Sequence, residues 1–179
     1  DTRAGMTLSM LYMRQGKPQK ALQTAEAMVK HDPSNLTALN FLGTLKGANG
    51  DKAGARAIYT QVLARDASFA PAVLNLVRLD VGDKRFDDGR KLLDGLLKKD
   101  SNNHQALGEY GMLEQRAGRV NEAIRHLTKA GDVQRQDPNP LLALIDLHLA
   151  QKQGDEALKV AKANGPVLLT DGNGLPLII

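Results

Sequence analysis

Residues 36–69 read LTALNFLGTLKGANGDKAGARAIYTQVLARDASF, and this stretch decides the fold. Its first half places Leu39, Leu42 and Leu45 on one face of a helix. Its second half forms a matching apolar stripe at Ala55, Ile58, Tyr59, Val62 and Leu63. Gly50 suits the left-handed conformation that ends a helix, and Asp51 can accept hydrogen bonds from the first amides of the next one. The stretch therefore predicts two antiparallel helices, a unit that cannot bury its apolar face alone.

The unit recurs at one fixed interval along the chain, the repeat period. Gly16 and Gly50 stand one period apart, Gly118 stands two periods further on, and Asp83-Lys84 occupy the missing turn. Aspartates open the loops that close the units, at Asp32, Asp66, Asp100 and Asp137, and the first three of them are spaced by the same period. This regularity predicts an all-α chain, a right-handed α-solenoid of about five helical hairpins.

We place the array at residues 1–165, with repeats at about 2–35, 36–69, 70–103, 104–140 and 141–165. The fourth repeat is then longer than the others, and the surplus falls in residues 131–136. Residues 166–179 break the pattern, and we expect an irregular apolar tail or a small hairpin there. Because the chain starts at Asp1 and its first repeat begins almost at once, we interpret it as an excerpt from a longer protein.

The repeat resembles the tetratricopeptide repeat (TPR) over roughly residues 2–164. The first-helix signature of that family, a large residue followed by Leu-Gly, is matched by Leu39 with Leu42-Gly43 and by Leu107 with Tyr110-Gly111. The second-helix signature, a small residue and a bulky one four positions later, is matched by Ala55 with Tyr59 and by Ala123 with Leu127. The closing proline is present as Pro33 and Pro138. Val77 and His148 depart from the family, which has a small residue at their positions.

Composition and charge exclude several classes of function. The chain has 179 residues, of which 42% are apolar and 3% aromatic, and the absence of cysteine excludes disulfides and thiol catalysis. Its net charge of +4 comes from 24 basic and 20 acidic residues that are interspersed, whereas a nucleic-acid-binding face gathers basic charge. No segment is apolar for long enough to span a bilayer. We therefore expect neither a nucleic-acid partner nor a membrane span in this segment.

The residues that usually carry catalysis or bind metals are scattered. The histidines are His31, His104, His126 and His148, and no two of them have the four-residue spacing of ligands on one helix. The serines mostly lie in the closing loops, where capping explains them, and none stands in a nucleophile motif. Residues 47–52 contain glycines and a lysine but lack the spacing of a phosphate-binding loop. The sequence predicts no enzyme activity, no cofactor and no metal site.

The resemblance also implies a binding groove. In TPR proteins a concave groove is lined by the second, fifth, ninth and twelfth residues of each first helix. In this chain that register gives Arg3, Met6, Met10 and Met13; Thr37, Asn40 and Thr44; Leu74, Arg78 and Val81; Gln105, Gly108, Met112 and Gln115; and Leu142, Ile145, Leu149 and Lys152.

Two features of these positions bear on the kind of partner. Methionine suits a surface that adapts to varied apolar partners, although Met6, Met10 and Met13 could equally pack against a preceding repeat. TPR co-chaperones hold an acidic carboxyl terminus with a clamp of lysines, asparagines and an arginine. Only Asn75 matches that clamp here, so it is not expected.

These observations favour a non-catalytic scaffold that binds a protein or peptide in the groove. Two alternatives stay open: a regulatory array of a larger enzyme, and an oligomerisation element whose terminal repeats or apolar tail pair two chains. Residues 50–80 and 117–130 are also similar to the TPR proteins encoded with the bacterial PEP-CTERM/exosortase exopolysaccharide system. That narrower resemblance implies a periplasmic or envelope location.

Overall fold

The structure is a computed structural model that describes residues 1–163, 169–170 and 176–177. Its described part contains ten α-helices: α1 (Thr2–Arg14), α2 (Pro18–His31), α3 (Leu36–Ala48), α4 (Lys52–Arg65), α5 (Ala70–Gly82), α6 (Phe86–Lys99), α7 (His104–Arg116), α8 (Val120–Val133), α9 (Pro138–Ala150) and α10 (Gly154–Ala163). Two short strands, β1 (Leu169–Thr170) and β2 (Pro176–Leu177), pair antiparallel. The rest of the 166–179 segment lies outside the described residues, so the predicted tail stays a prediction.

The chain divides into two compact units, Asp1–Asp83 and Lys84–Ile179. The first unit holds α1 to α5, and the second holds α6 to α10 with the two strands. Within each unit every helix packs on the next one along the chain. The predicted all-α class is confirmed by these helical hairpins.

Helix starts recur with the predicted period. The first helix of each repeat, helix A, starts at residue 2, 36, 70, 104 or 138, and the second, helix B, starts at residue 18, 52, 86, 120 or 154. The turn between them has a positive φ at Gly16, Gly50, Lys84, Gly118 and Lys152, which follow one another at the same spacing. Glycine adopts this conformation at little steric cost, whereas lysine does so at a cost. The array therefore keeps one turn geometry even where glycine is missing.

The predicted start of the fifth repeat is wrong. Helix α9 begins at Pro138 and not at Leu141, so the fourth repeat has the common length and no surplus. The prediction aligned Asp137 with Asp32, because each stands before a proline. In the structure Asp32 follows the end of α2, whereas the Asp137 side chain caps the start of α9. Asp137 is therefore the equivalent of Asn103, whose side chain caps the start of α7.

The core of each unit includes the seam where a helix B packs on the next helix A. In the first unit this seam holds Ala21, Ala25, Leu42 and Leu45. In the second unit it holds Ala123, Leu127, Leu144 and Leu147. Small alanines let neighbouring helices approach closely, which explains how a chain with few aromatic residues fills its interior.

Two glycines are required by close packing inside the hairpins. A Cβ atom added at Gly43 would lie 2.7 Å from Tyr59 Cε1, and one added at Gly111 would lie 2.5 Å from Leu127 Cγ. Any side chain at these two positions would therefore push helix A away from helix B. In each pair the glycine belongs to the first-helix signature and the residue that it meets is the bulky residue of the second-helix signature.

Candidate partner-binding surface

The predicted groove positions of the first unit lie on α1, α3 and α5 and differ widely in exposure. The exposed ones are Arg3, Met10, Thr37, Thr44 and Arg78, and the half-buried ones are Met6, Met13, Asn40 and Val81. Leu74 is only 6% exposed and presents little surface to a partner. Met13 packs against the core around Ala21 and Leu42. Met10, which is 52% exposed, is therefore the accessible apolar residue at these positions in the first unit.

A ladder of polar side chains joins α3 to α5 in the same unit. The Asn75 amide nitrogen donates to Asn40 Oδ1 at 3.1 Å and to Thr44 Oγ1 at 3.4 Å. The Tyr59 hydroxyl also bonds to Thr44 Oγ1 at 3.4 Å, and Arg78 Nη1 donates to Asn75 Oδ1 at 3.2 Å. The hydrogen bonds fix the orientation of the amides on this face. Sequence reasoning had singled out Asn75 only as the match to a carboxylate clamp and had missed its role in this ladder.

The groove positions of the second unit include two exposed large apolar side chains. On α7, Met112 is 44% exposed, Gln105 is exposed and Gln115 is half-buried. On α9, Leu149 is 54% exposed and Leu142 is half-buried. The two helices pack on each other within this unit. On α7 an apolar side chain thus stands between two neutral amides.

The corrected start of α9 changes the register of this surface. Counted from Pro138, the groove positions of α9 are Asn139, Leu142, Asp146 and Leu149. Ile145, which was predicted to line the groove, is 8% exposed and packs with Leu141 and Ala157 in the core. It takes the small-residue position of the signature, which the prediction had given to His148. The unbroken repeat period, followed from Gln105 and Met112, was the signal that would have found Asn139 and Asp146.

The large apolar side chains that remain exposed fall into a simple pattern. In the described part of the chain they are Leu8, Met10, Leu11, Met112, Val133, Leu149 and Leu158. Met10, Met112 and Leu149 stand at groove positions of helices A. Leu8, Leu11 and Leu158 lie on the first and last helices of the array. Only Val133, at the end of α8, belongs to neither set.

Two buried ion pairs brace helix B of one repeat against helix A of the next, and sequence reasoning missed both. Arg56 Nη1 bonds to Asp80 Oδ1 at 2.6 Å, and the Asp80 side chain is 2% exposed. Arg90 binds both carboxylate oxygens of Glu114 at 2.7 and 2.9 Å, and the Glu114 side chain is also 2% exposed. The second pair stands one repeat period after the first. Each guanidinium pairs with a carboxylate whose burial without a partner would destabilise the fold. We therefore interpret both pairs as structural.

Two buried titratable rings stack between α7 and α8 in the second unit. The ring of His126 stacks on that of Tyr110 at 4.1 Å, and the Tyr110 hydroxyl donates to Asp94 Oδ1 at 3.0 Å. Burial, with the adjacent Asp94 carboxylate, raises the pKa of Tyr110 to about 12. Burial, with the Arg125 guanidinium, lowers the pKa of His126. Tyr110 and His126 are therefore held neutral at pH 7, and we interpret the two rings as packing.

The described residues contain no group of three His, Asp or Glu side chains arranged to hold a metal ion. None of the helices in the described ranges is long and apolar enough to cross a membrane.

The sequence of the chain matches known families and proteins. Family models of the tetratricopeptide repeat match residues 6–71, 48–108 and 115–163. Among curated proteins, the chain is similar to cellulose synthase operon protein C of Pseudomonas fluorescens, with 30% identity over 156 residues. That match covers 82% of this chain but only 12% of the relative's length.

Solved structures show the same fold. A thermophilic TPR protein of Thermus thermophilus matches with a TM-score of 0.77 at 18% identity, over 92% of this chain and 90% of that one. Pseudomonas aeruginosa pilF matches with a TM-score of 0.74 at 17% identity, over 93% and 77% of the two chains. MamA of Desulfovibrio magneticus matches with a TM-score of 0.69 at 15% identity, over 91% and 92%. The predicted α-solenoid of helical hairpins is confirmed by these likenesses.

Proposed function

The chain belongs to the tetratricopeptide repeat family, and from this premise we propose that it is a non-catalytic scaffold that holds a protein or peptide partner on its helix A surfaces during bacterial exopolysaccharide or envelope assembly. Repeats of this family imply a protein-interaction scaffold. The fold is typically non-catalytic. The proposal adds the surface that binds and the setting in which it works.

The exposure of Met10, Met112 and Leu149 carries the choice of surface. Met10 and Met112 stand at the ninth position of their helices A and Leu149 at the twelfth. Exposed large apolar side chains at groove positions mark a surface suited to a partner, because burying them against apolar groups is favourable. On α3 and α5 the amides of Asn40 and Asn75 add donors and acceptors in a fixed orientation. Apolar anchors would supply affinity, and these amides would set the direction of a bound segment.

The setting rests on the similarity to cellulose synthase operon protein C, a name that places that relative in the production of an exopolysaccharide. The chain spans only 12% of the relative's length, so the activity of the whole protein is part of the proposal. An envelope location fits the same setting. A place among the exosortase-associated repeat proteins, and a role as the regulatory array of a larger enzyme, stay predictions.

A pull-down from the envelope extract of a bacterium that carries this chain would test the proposal. The groove variant is Met10→Glu/Met112→Glu/Leu149→Glu, which places charge at three exposed apolar groove positions. We expect the wild-type chain to capture a partner and the groove variant to lose it. Purified partner would then be titrated against each chain by calorimetry.

The matched control is Leu11→Glu/Val133→Glu/Leu158→Glu, which makes the same kind of change at three exposed apolar residues outside the groove positions. Circular dichroism would verify that both variants keep the helical fold. Equal capture by the groove variant and the control would overturn the proposal, and so would equal loss from both.

A further inference from the structure

The turn between α3 and α4 contains an asparagine followed by a glycine, a pair with its own covalent chemistry. The backbone nitrogen after an asparagine can attack the carbon of the side-chain amide, and glycine hinders this attack least because it has no Cβ atom. Asn49 is exposed and stands at the end of α3, directly before Gly50. The four equivalent turns have no asparagine at this place and contain Gln15-Gly16, Asp83-Lys84, Ala117-Gly118 and Gln151-Lys152. Asn49-Gly50 is thus the one Asn-Gly pair in the described part of the chain.

The folded turn keeps the two reacting atoms of this pair apart. Ring closure requires the Asn49 side chain and the Gly50 nitrogen to lie on the same side of the bond between Cα and the carbonyl carbon, whereas the Asn49 ψ of 10° places them on opposite sides. The Asn49 amide nitrogen donates to the Leu45 carbonyl oxygen at 2.8 Å, which holds the side chain against α3. The Gly50 nitrogen donates to the Gly47 carbonyl oxygen at 3.0 Å. Attack therefore requires the turn to open.

Asp51 makes the contacts that keep the turn closed. Its backbone nitrogen donates to the Lys46 carbonyl oxygen at 2.9 Å, and its Oδ2 lies 3.0 Å from Lys46 Nζ. Its Oδ1 accepts a hydrogen bond from the Gly54 amide at 2.8 Å and so caps α4. These contacts join the end of α3 to the start of α4 across the Asn-Gly pair. The strength of the Asp51 contacts therefore sets how often Asn49 is free to react.

We propose that Asn49 is a site of spontaneous deamidation that reacts while the α3–α4 turn is open. The Gly50 nitrogen forms a bond to Asn49 Cγ and gives up its proton, the bond from Cγ to the amide nitrogen breaks, and ammonia leaves. Water then opens the cyclic imide at either of its carbonyl groups, which gives aspartate or isoaspartate. No atom is oxidised or reduced, and water is the only co-reactant. Asn49 is not a groove position, so the proposal does not depend on partner binding.

The products stabilise the closed turn less than the amide does. An aspartate at position 49 has no donor for the Leu45 carbonyl oxygen, and its charge stands at the carboxyl end of α3, where the helix dipole disfavours an anion. Isoaspartate routes the main chain through the side-chain carbons and so lengthens the connection to α4. An opening that ends in reaction therefore makes the next opening easier. The modification would record, irreversibly, that the first unit has opened.

Incubation of the full chain in mildly alkaline buffer, with and without guanidinium chloride, tests the proposal. Peptide mapping by mass spectrometry measures the conversion of Asn49. We expect conversion to be at least about tenfold slower in buffer, because the open form is a minor state with a population of roughly 10% or less. The Asn-Gly pairs at 164–165 and 173–174 fall in other peptides and give, in guanidinium chloride, the rate of the unfolded pair. Equal rates at Asn49 in the two conditions, or no conversion in guanidinium chloride, would overturn the proposal.

A variant that loosens the turn tests the control by opening. Asp51→Ala removes the cap and the ion pair but keeps the Asn-Gly pair, and we expect it to speed conversion of Asn49 in buffer about twofold to thirtyfold, the factor by which loss of a helix cap shifts a local equilibrium. The matched control is Asn103→Ala, which removes the side-chain cap of α7 in the second unit and should leave the rate at Asn49 unchanged. No acceleration by Asp51→Ala, or equal acceleration by both variants, would overturn the proposal. If circular dichroism shows that Asp51→Ala unfolds the chain, Lys46→Met, which removes only the ion pair, takes its place.

Discussion

Replacing Arg90 by methionine will test how far a buried ion pair stabilises the second unit. The Glu114 carboxylate accepts hydrogen bonds from Arg90 Nε at 2.7 Å and from Nη2 at 2.9 Å. A second guanidinium, that of Arg119, lies 3.6 Å away, but its side chain is 51% exposed. Methionine keeps the apolar stem of Arg90 and removes the charge, so the change isolates the loss of the pair.

The expected cost follows from what remains around Glu114. Removing one partner of a buried pair costs about 3–5 kcal/mol, because the other charge is left buried without compensation. Arg119 offsets part of this cost, so we expect a loss of about 3 kcal/mol. The Arg90 contact with Asp87 adds almost nothing, because the Asp87 side chain is 88% exposed and such pairs are worth about 0–1 kcal/mol.

Urea unfolding followed by circular dichroism gives the free energy of unfolding of each variant. Repeat arrays depart from two-state unfolding, so hydrogen exchange of the α6 and α7 amides should accompany it and show the loss locally. The matched control is Arg85→Met on the segment that leads into α6, whose partner Asp88 is 44% exposed. The control is expected to cost about 0–1 kcal/mol.

The reasoning fails if Arg90→Met and Arg85→Met destabilise the chain equally. It also fails if Arg90→Met/Glu114→Met is no more stable than Arg90→Met alone. In the double variant neither member of the pair is charged, so most of the stability should return.

Three further predictions concern the interior and the turns. Because the pKa of His126 is lowered below its ordinary value of 6.5, its contribution to stability is present above about pH 6.5 and is lost as pH falls through the lower pKa of the folded state. His126→Phe, which keeps a ring against Tyr110, should reduce the loss of unfolding free energy between about pH 7.5 and about pH 5, and an unchanged loss would contradict this. Gly111→Ala should cost about 1–3 kcal/mol in urea unfolding by pressing on Leu127. Gly108→Ala on the same helix meets nothing within 4 Å and should be neutral or stabilising by up to about 1 kcal/mol, so a similar loss from both would contradict the packing argument. Lys152→Gly should raise the melting temperature, because the φ of Lys152 is 59°, whereas Gln151→Gly at a φ of −85° should not; no rise for Lys152→Gly would show that the lysine conformation costs nothing.

Local signals predicted the hairpins correctly because each one has its own physical cause. Gly50 has a φ of 88°, Asp51 caps α4 through the Gly54 amide, and Pro18 opens α2, all as the sequence indicated. The start of α9 was predicted wrongly because the dipeptide Asp-Pro occurs at two different places in the repeat. It follows a helix at Asp32 and starts one at Asp137. Only the repeat period distinguishes the two positions of Asp-Pro. The positive φ of Lys152, one period after Gly118, follows that period.

Contacts between repeats were the part that sequence reasoning did not reach. Arg56 and Asp80 belong to different repeats and look like ordinary surface charges until the helices are stacked. Their recurrence as Arg90 and Glu114, one period later, was the available signal. The partner-binding positions, which depend on a molecule outside the chain, stay predictions.

The buried pairs also bear on how such an array can gain or lose repeats by unequal recombination. Loss of residues 36–69 would bring Leu22 to the place of Arg56. The Asp80 side chain, which is 2% exposed, would then lack that guanidinium. Loss of residues 70–103 would bring Arg56 to the place of Arg90 and keep a cation opposite Glu114. One deletion would therefore be disfavoured by the energetics of folding and the other tolerated, although both remove one whole repeat. The charges at the seams restrict which repeats can become neighbours during evolution.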